Sequence, residues 1–165
     1  MDTAELREIV GEEHVQENVS LAGYTTFRIG GPADVLVQAG EEEQLEKVLA
    51  WCRESGRPWI LLGRGSNVLV DDAGFRGTVI LLDGTLAQIE VRGDQITAGA
   101  GASLARIART ALEHELTGVE YAAGIPGTLG GAVYMNAGAY GGEIGRTVSS
   151  IRYLDKEGIH EIGPE

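Results

Sequence analysis

The segment GIPGTLGGAVYMNAGAYGGEIG, residues 124–145, places glycine at eight of its 22 positions. Glycine inside ordered structure destabilises by roughly 0.5–1 kcal/mol relative to alanine, so the segment carries a load of about 4–8 kcal/mol. The whole stability of a small domain is typically about 5–15 kcal/mol. Such a load is tolerated where backbone must turn tightly, take a positive φ, or approach another body more closely than a side chain allows. Pro126 fixes its own φ and steers Ile125 toward an extended conformation, so the turn is stiff in spite of its glycines. GTLGGAVYM reads as the start of a helical turn whose free N–H groups face an anion. Asn136 donates and accepts hydrogen bonds, and the small residues around it leave a flat wall for a planar ring. The plainer reading is close helix-against-sheet packing through small residues. Tyr134 and Tyr140, taken singly, read as core.

A second glycine-rich stretch, LGRGSNVLV, sets Gly63, Gly65, Ser66 and Asn67 directly after the apolar run WILL. A strand leading into such a turn exposes consecutive N–H donors and forms an anion-binding concavity. A tight connection between two strands explains the same residues. A dinucleotide fingerprint of the Rossmann type fails, because its third glycine falls at Val68 and a β-rich run follows where a helix should. No GK[ST] exists, and Lys47 and Lys156 are the only lysines, which removes the P-loop. The net charge of −12 argues against a nucleic-acid partner, whose affinity rests on clustered Lys and Arg. Any phosphate ligand must therefore be held by backbone N–H groups and a few placed arginines. One cysteine precludes an intrachain disulfide, and Cys52, seven residues after Leu45 on an apolar helical face, reads as core. His14, His114 and His160 lack metal-ligand spacing, so no metal is expected.

The 43% hydrophobic and 23% charged residues are those of a globular protein. No run approaches the roughly 18 apolar residues needed to cross a bilayer, and MDTAELREIVGEEH is acidic and amphipathic, unlike a signal peptide. A cytoplasmic protein without a membrane partner is the expectation. Leu6, Ile9 and Val10 predict a short helix. A polar loop over NVSLAGYTTFRI is expected to end at Gly30-Gly31-Pro32, with a strand from near Asp34. EEEQLEKVLAWCRESGRP aligns Leu45, Val48, Leu49 and Cys52 on one helical face, and its leading glutamates read as a solvated cap favoured by the helix dipole. WILLG predicts a strand covered on both faces, completing a βαβ unit. VLV, GTVILL, AQIEVRG and QITAGAG read as further strands, the last two joined by a hairpin at GD. Leu104, Ile107, Ala108, Ala111 and Leu112 predict a second amphipathic helix with Ser103 as N-cap. VSSIRYLDKEGIHEIG reads as two strands around KEG. The fold class is α+β, with a boundary near Asp83 dividing residues 1–83 from 84–165.

TTFRIGGPAD, LGRGSNVLV, AGAGASLARIA and GVEYAAGIPGTLGGAVYMNAGAYGGEIG, in that order, resemble the UDP-N-acetylenolpyruvoylglucosamine reductases, also called UDP-N-acetylmuramate dehydrogenases. These are flavoenzymes of bacterial peptidoglycan synthesis, and the resemblance runs from about Asn18 onward. It implies an FAD-binding fold of the vanillyl-alcohol-oxidase type, in which two small α+β subdomains clasp the cofactor. It implies that Gly63, Arg64, Gly65, Ser66, Asn67 and Val68 line the FAD pyrophosphate. Gly124, Ile125, Pro126, Gly127, Thr128, Gly130, Gly131 and Ala132 would follow the pyrophosphate, ribityl chain and flavin. Asn136, Ala137, Gly138 and Tyr140 would shape the neighbouring pocket, and Thr26, Phe27 and Arg28 match the family's early motif. The family reaction takes a hydride from NADPH to the enolpyruvyl group of a UDP-sugar.

The family's Tyr-Arg-x-Ser motif, substrate-binding domain, proton-donating serine and late glutamate have no counterparts in these residues, so no catalytic residue is assigned. Arg146 and Arg152 read as surface or strand residues. FAD binding with little or no turnover is expected of this chain alone. The alternative is a non-catalytic flavin or nucleotide-binding module that needs a second chain, or self-associates through an apolar face left bare.

Overall fold

In the computed structural model, which describes residues 3–163, helix α1 (Ala4–Val10) buries Leu6 and Val10, one turn apart, as its spacing predicts. The Thr3 hydroxyl donates to Glu17 Oε1 at 2.6 Å, and Arg7 bridges Glu12 and Glu17, tying the helix to strand β1 (Val15–Ser20). Residues 18–20, expected in a polar loop, thus belong to a strand. Its mostly polar, exposed side chains hide the β pattern, and pairing with β2 (Pro32–Ala39) supplies the order that propensity does not.

Helix α2 (Glu42–Glu54) connects β2 to β3 (Trp59–Leu61), and β4 (Phe75–Leu82) is inserted between those two strands. The sheet order is β1-β2-β4-β3, with β2 and β3 both parallel to β4 and β1 antiparallel to β2. The βαβ unit is therefore split. Because β4 takes the central place, β3 becomes an edge, and Trp59 and Leu61 stand 38% and 50% exposed, against the expectation of a strand covered twice. The two central strands carry that pattern instead. Val35, Val37 and Ile80 pack with α1 and α2, while Leu36 and Val79 pack on the opposite face with Leu21 and Leu62. Residues 68–70 form no strand; this coil lays Val68 and Val70 on that second face.

Cys52 is fully buried, and burial pushes its thiol up. Its neighbour Thr78 has a buried Oγ1 with no conventional hydrogen-bond partner, the thiol being a weak one.

Beyond the sheet, β5 (Ile89–Arg92) and β6 (Gln95–Ala98) form the expected hairpin across Gly93-Asp94. Helix α3 (Leu104–Glu113) is capped by Ser103, whose Oγ accepts the Arg106 N–H at 3.2 Å. It buries Leu104, Ile107 and Ala111; Leu112, expected on that face, is 76% exposed because it lies beyond the covered arc. Leu104 and Ile107 share a separate core with Tyr121, Ala122, Ala132 and Ile144, to which α4 (Leu129–Met135) and α5 (Ile144–Thr147) contribute, the short hairpin β7 (Gly138–Ala139) and β8 (Gly142–Glu143) lying between those two helices in the chain.

The final hairpin, β9 (Ile151–Leu154) and β10 (Ile159–Ile162), returns to the first core, against which Leu154 packs. Arg152 forks onto both oxygens of Glu42 at 2.6 and 2.7 Å. Glu42 is thus a partner in a long-range ion pair as well as a residue of the α2 first turn, and Glu43 pairs with Lys47 one turn on.

Candidate functional site

The chain leaves the sheet at Gly63, one residue after the Leu62 N–H donates to the Ile80 carbonyl at 2.9 Å. Gly65 then turns at φ 59°, and a Cβ there would collide with the Tyr24 carbonyl oxygen. The Thr26 N–H donates to the Gly65 carbonyl at 3.0 Å, so residues 24–28 lie directly on this turn. Thr25 closes that segment by donating its hydroxyl to the Ile29 carbonyl at 2.9 Å.

The second glycine segment meets the first from the other side. The Ser66 hydroxyl donates to the Pro126 carbonyl at 2.5 Å, across 60 residues of chain. A Cβ on Gly63 would lie 2.6 Å from Thr128 Oγ1, so backbone and side chain are already in contact there. Residues 24–28, 63–67 and 126–128 form one cradle. Among the described residues, no backbone N–H of residues 63–67, 127, 128 or 131 donates to another protein group. A concentration of unmatched donors at a surface suits an anionic ligand.

The α4 terminus departs from expectation. The Leu129 and Gly130 N–H groups donate to the Ala102 and Ala100 carbonyls, each at 2.8 Å, so two first-turn donors are occupied within the protein. The loop before α3 thereby fixes α4 in place. Its sequence, AGAGAS, shows small residues but not which carbonyls accept.

The eight glycines of residues 124–145 divide by physical role. Gly130 faces the Ala100 methyl, Gly138 the Gly142 carbonyl, Gly142 the Tyr121 ring and Gly145 the Asn136 side chain, each too close for a Cβ without movement. Gly141 needs its φ of 86° in the two-residue turn Tyr140-Gly141. Close packing and turning account for these five. Gly124, Gly127 and Gly131 have no such reason: φ is not positive, and a Cβ would meet nothing, Ser66 Oγ at 3.7 Å, and Thr128 Oγ1 at 3.6 Å, respectively. The protein itself leaves room for a methyl at all three.

The remaining predicted positions are mixed. Val68 and Ile125 are partly buried against the cores, and Ala132 is buried, so their side chains are committed to packing. Asn136 ends α4 at φ 45° and its Oδ1 accepts the Gly145 N–H at 2.8 Å, which commits the oxygen and leaves the amide NH2. Ala137 exchanges backbone bonds with Ala132 and Ile144. Tyr134 and Tyr140 are 89% and 98% exposed, so neither is the core residue its type suggested. Phe27, Arg28, Arg64 and Asn67 are also exposed.

A sheet with two central parallel strands, an adjoining α+β unit and glycine loops facing across their junction define an FAD-binding fold of the vanillyl-alcohol-oxidase type. The chain belongs to the family described as FAD binding domain, whose model matches residues 33–163. It is 48% identical over 151 residues to UDP-N-acetylenolpyruvoylglucosamine reductase of Caldanaerobacter subterraneus subsp. tengcongensis, covering 92% of this chain and 50% of that protein. The crystal structure of UDP-N-acetylenolpyruvylglucosamine reductase from Thermus caldophilus is similar with a TM-score of 0.77 at 34% identity, over 88% of this chain and 51% of that one. Alkyldihydroxyacetonephosphate synthase, at 18% identity and a TM-score of 0.72 over 97% of this chain and 34% of that chain, shares the fold. The chain spans about half the length of the curated relatives it matches, and corresponds to their N-terminal half.

FAD is the cofactor this family implies, and the cradle suits it. Unmatched N–H donors fit a diphosphate, and the open positions at Gly124, Gly127 and Gly131 fit a body pressed against bare backbone.

Proposed function

We propose that residues 63–67 and 124–131 hold the diphosphate, ribityl chain and ring of FAD, with residues 1–83 and 84–165 as the two subdomains that clasp it. In this reading the chain is the FAD-binding portion of a flavin-dependent reductase, converting UDP-N-acetylglucosamine enolpyruvate to UDP-N-acetylmuramate with NADPH in peptidoglycan synthesis. The carrying observation is that Gly124, Gly127 and Gly131 are open where the protein alone has no use for glycine. FAD, when bound, supplies hydride transfer between donor and acceptor. The chain's own residues bind and orient. Backbone N–H groups of the 63–67 turn neutralise phosphate charge without lysines, and the Ser66 to Pro126 hydrogen bond fixes the two loops at one separation.

Among the described residues, the cradle's one serine, Ser66, already spends its hydroxyl on the Pro126 carbonyl and is not free to deliver a proton. This chain by itself therefore binds FAD with little or no turnover, since proton transfer by a positioned group contributes typically about 10²–10⁴-fold. Reconstitution with FAD, removal of excess, and a visible spectrum with a thermal melt test the reading. At 100 times its dissociation constant a ligand adds about 2.7 kcal/mol, a readily measured shift. Colourless protein with an unmoved melt at saturating FAD refutes it. The exposed Tyr134, Met135 and Tyr140 favour a second reading, a binding module whose bare apolar face is covered by another chain or copy. Sedimentation with and without FAD separates the two, since only the second requires association.

A further inference from the structure

Strand β3 closes one edge of the four-stranded sheet, and its backbone is paired on one side only. The Thr78 N–H donates to the Pro58 carbonyl and the Leu62 N–H to the Ile80 carbonyl, each at 2.9 Å, so Pro58, Ile60 and Leu62 are the residues that address β4. By the alternation of a parallel ladder, the N–H and C=O groups of Trp59 and Leu61 point away from the sheet. Among the described residues, none of these four groups has a partner elsewhere in the protein. A free edge of this kind is a template for another strand.

The opposite edge is guarded. Strand β1 turns Gln16, Glu17 and Asn18 to water, and Asn18 breaks its extended backbone at φ 52°. β3 has neither device. Trp59 and Leu61 are 38% and 50% exposed and share one face, while Ile60 packs against the core on the other.

Arg57 extends that stripe, because Pro58 steers it toward extended backbone and so sets residues 57, 59 and 61 on the same side. From Ser55 to Val70 there is no Asp or Glu, although the chain as a whole carries a net charge of −12. The Arg57 guanidinium has no acidic partner among the described residues. Other arginines are unpaired too, Arg106 of α3 among them, but Arg57 stands at the end of a bare strand edge. Pairing β3 with β3 of a second copy would bring arginines from both and no carboxylate to meet them.

We infer that the free edge of β3 is a docking site for an extended, acidic peptide segment of a partner protein, which adds a strand to the sheet and sets a carboxylate against Arg57. This is independent of the reading of the cradle. Backbone pairing over residues 58–62 spans about 16 Å and supplies affinity, and the side chains at alternate positions supply choice. Apolar ones lie beside Trp59 and Leu61, and an acidic one, two positions further along, meets the Arg57 fork.

The test uses the capped heptapeptide Glu-Thr-Val-Thr-Val-Thr-Glu, whose valines and end carboxylates share one face in either strand direction. Its controls are the same peptide with lysine at both ends and the same peptide with its interior amides N-methylated, which cannot pair with a strand. Binding is followed by the emission of Trp59, the other tryptophan, Trp51, being buried, and by amide hydrogen exchange. The acidic peptide is expected to bind saturably, to shift the emission to shorter wavelength and to protect the Trp59 and Leu61 N–H groups, leaving Ile60, which faces β4, unchanged. Arg57→Gln weakens this binding by up to about fivefold at low salt, as for an exposed ion pair, and the difference shrinks as salt screens it. The lysine peptide binds more weakly than the acidic one, and the N-methylated peptide does not bind. Absence of saturable binding, equal binding of either control, or an Arg57→Gln variant that binds like the parent overturns the inference. So does protection of Trp59 and Leu61 that rises with protein concentration alone, because the edge then belongs to a second copy.

Discussion

Gly131 offers a substitution whose two consequences have opposite signs. It is the third residue of α4, exposed, with an ordinary helical φ and a Cβ position touching only Thr128 Oγ1 at 3.6 Å. Replacing glycine by alanine inside a helix is worth about 0.8–1 kcal/mol in propensity, and nothing in the protein opposes the added methyl. Gly131→Ala is therefore expected to stabilise the unligated protein by up to about 1 kcal/mol, a rise of roughly 2–4 °C for a chain of this size. The same methyl occupies the space assigned to the cofactor. A single overlap that costs 1.4 kcal/mol is about tenfold in affinity, so FAD binding should weaken by at least that factor. Thermal melts of the unligated protein and fluorescence titration with FAD read the two effects separately. A variant that is stabilised yet binds FAD like the parent refutes the assignment of this space to the ligand. A variant destabilised without ligand refutes the claim that the space is open.

Gly65→Ala has the reverse character: at φ 59° and under the Tyr24 carbonyl it should destabilise the unligated protein by about 2–4 kcal/mol, measured by urea unfolding. Thr78→Val should be neutral or stabilise by about 1 kcal/mol, because it removes a buried hydroxyl that has no conventional partner. A double-mutant cycle on Glu42 and Arg152 should return a coupling of about 0.5–1 kcal/mol that shrinks in high salt, as both side chains are partly exposed. Glu17 is held below the usual carboxylate range, first by the Thr3 hydroxyl and then by Arg7, so its contribution is complete at neutral pH and lost as pH falls through its folded-state value. Glu17→Gln should therefore make the acid limb of a stability–pH curve shallower while leaving its slope above neutrality unchanged.

Helices α2 and α3 were legible because both signals needed, an apolar stripe and an N-terminal Glu or Ser, lie within a dozen neighbouring residues. β1 was not, since Gln16, Glu17 and Asn18 face water and only the pairing with β2 orders them. The reading of WILLG failed for a related reason: an apolar run reports that a strand can be buried, not which strand sits centrally, and the insertion of β4 decides that. At the site, glycine density located both loops. It could not sort glycines kept for the fold from those kept open, because that depends on Ala100, Tyr121 and Asn136 arriving opposite particular positions. Nor could it show that the Ala100 and Ala102 carbonyls occupy two donors of α4.

The return of Leu154 and Arg152 to α2 bears on synthesis. Helix α2 and the strands around it emerge from the ribosome early, but the segment that completes their packing follows 110 residues behind Glu42. The core shared by α3 and α4 draws on residues 89–148 alone, so it can close before that clasp is available. The nascent protein is expected to order its middle before it finishes its beginning, with helix α2 waiting on a late hairpin.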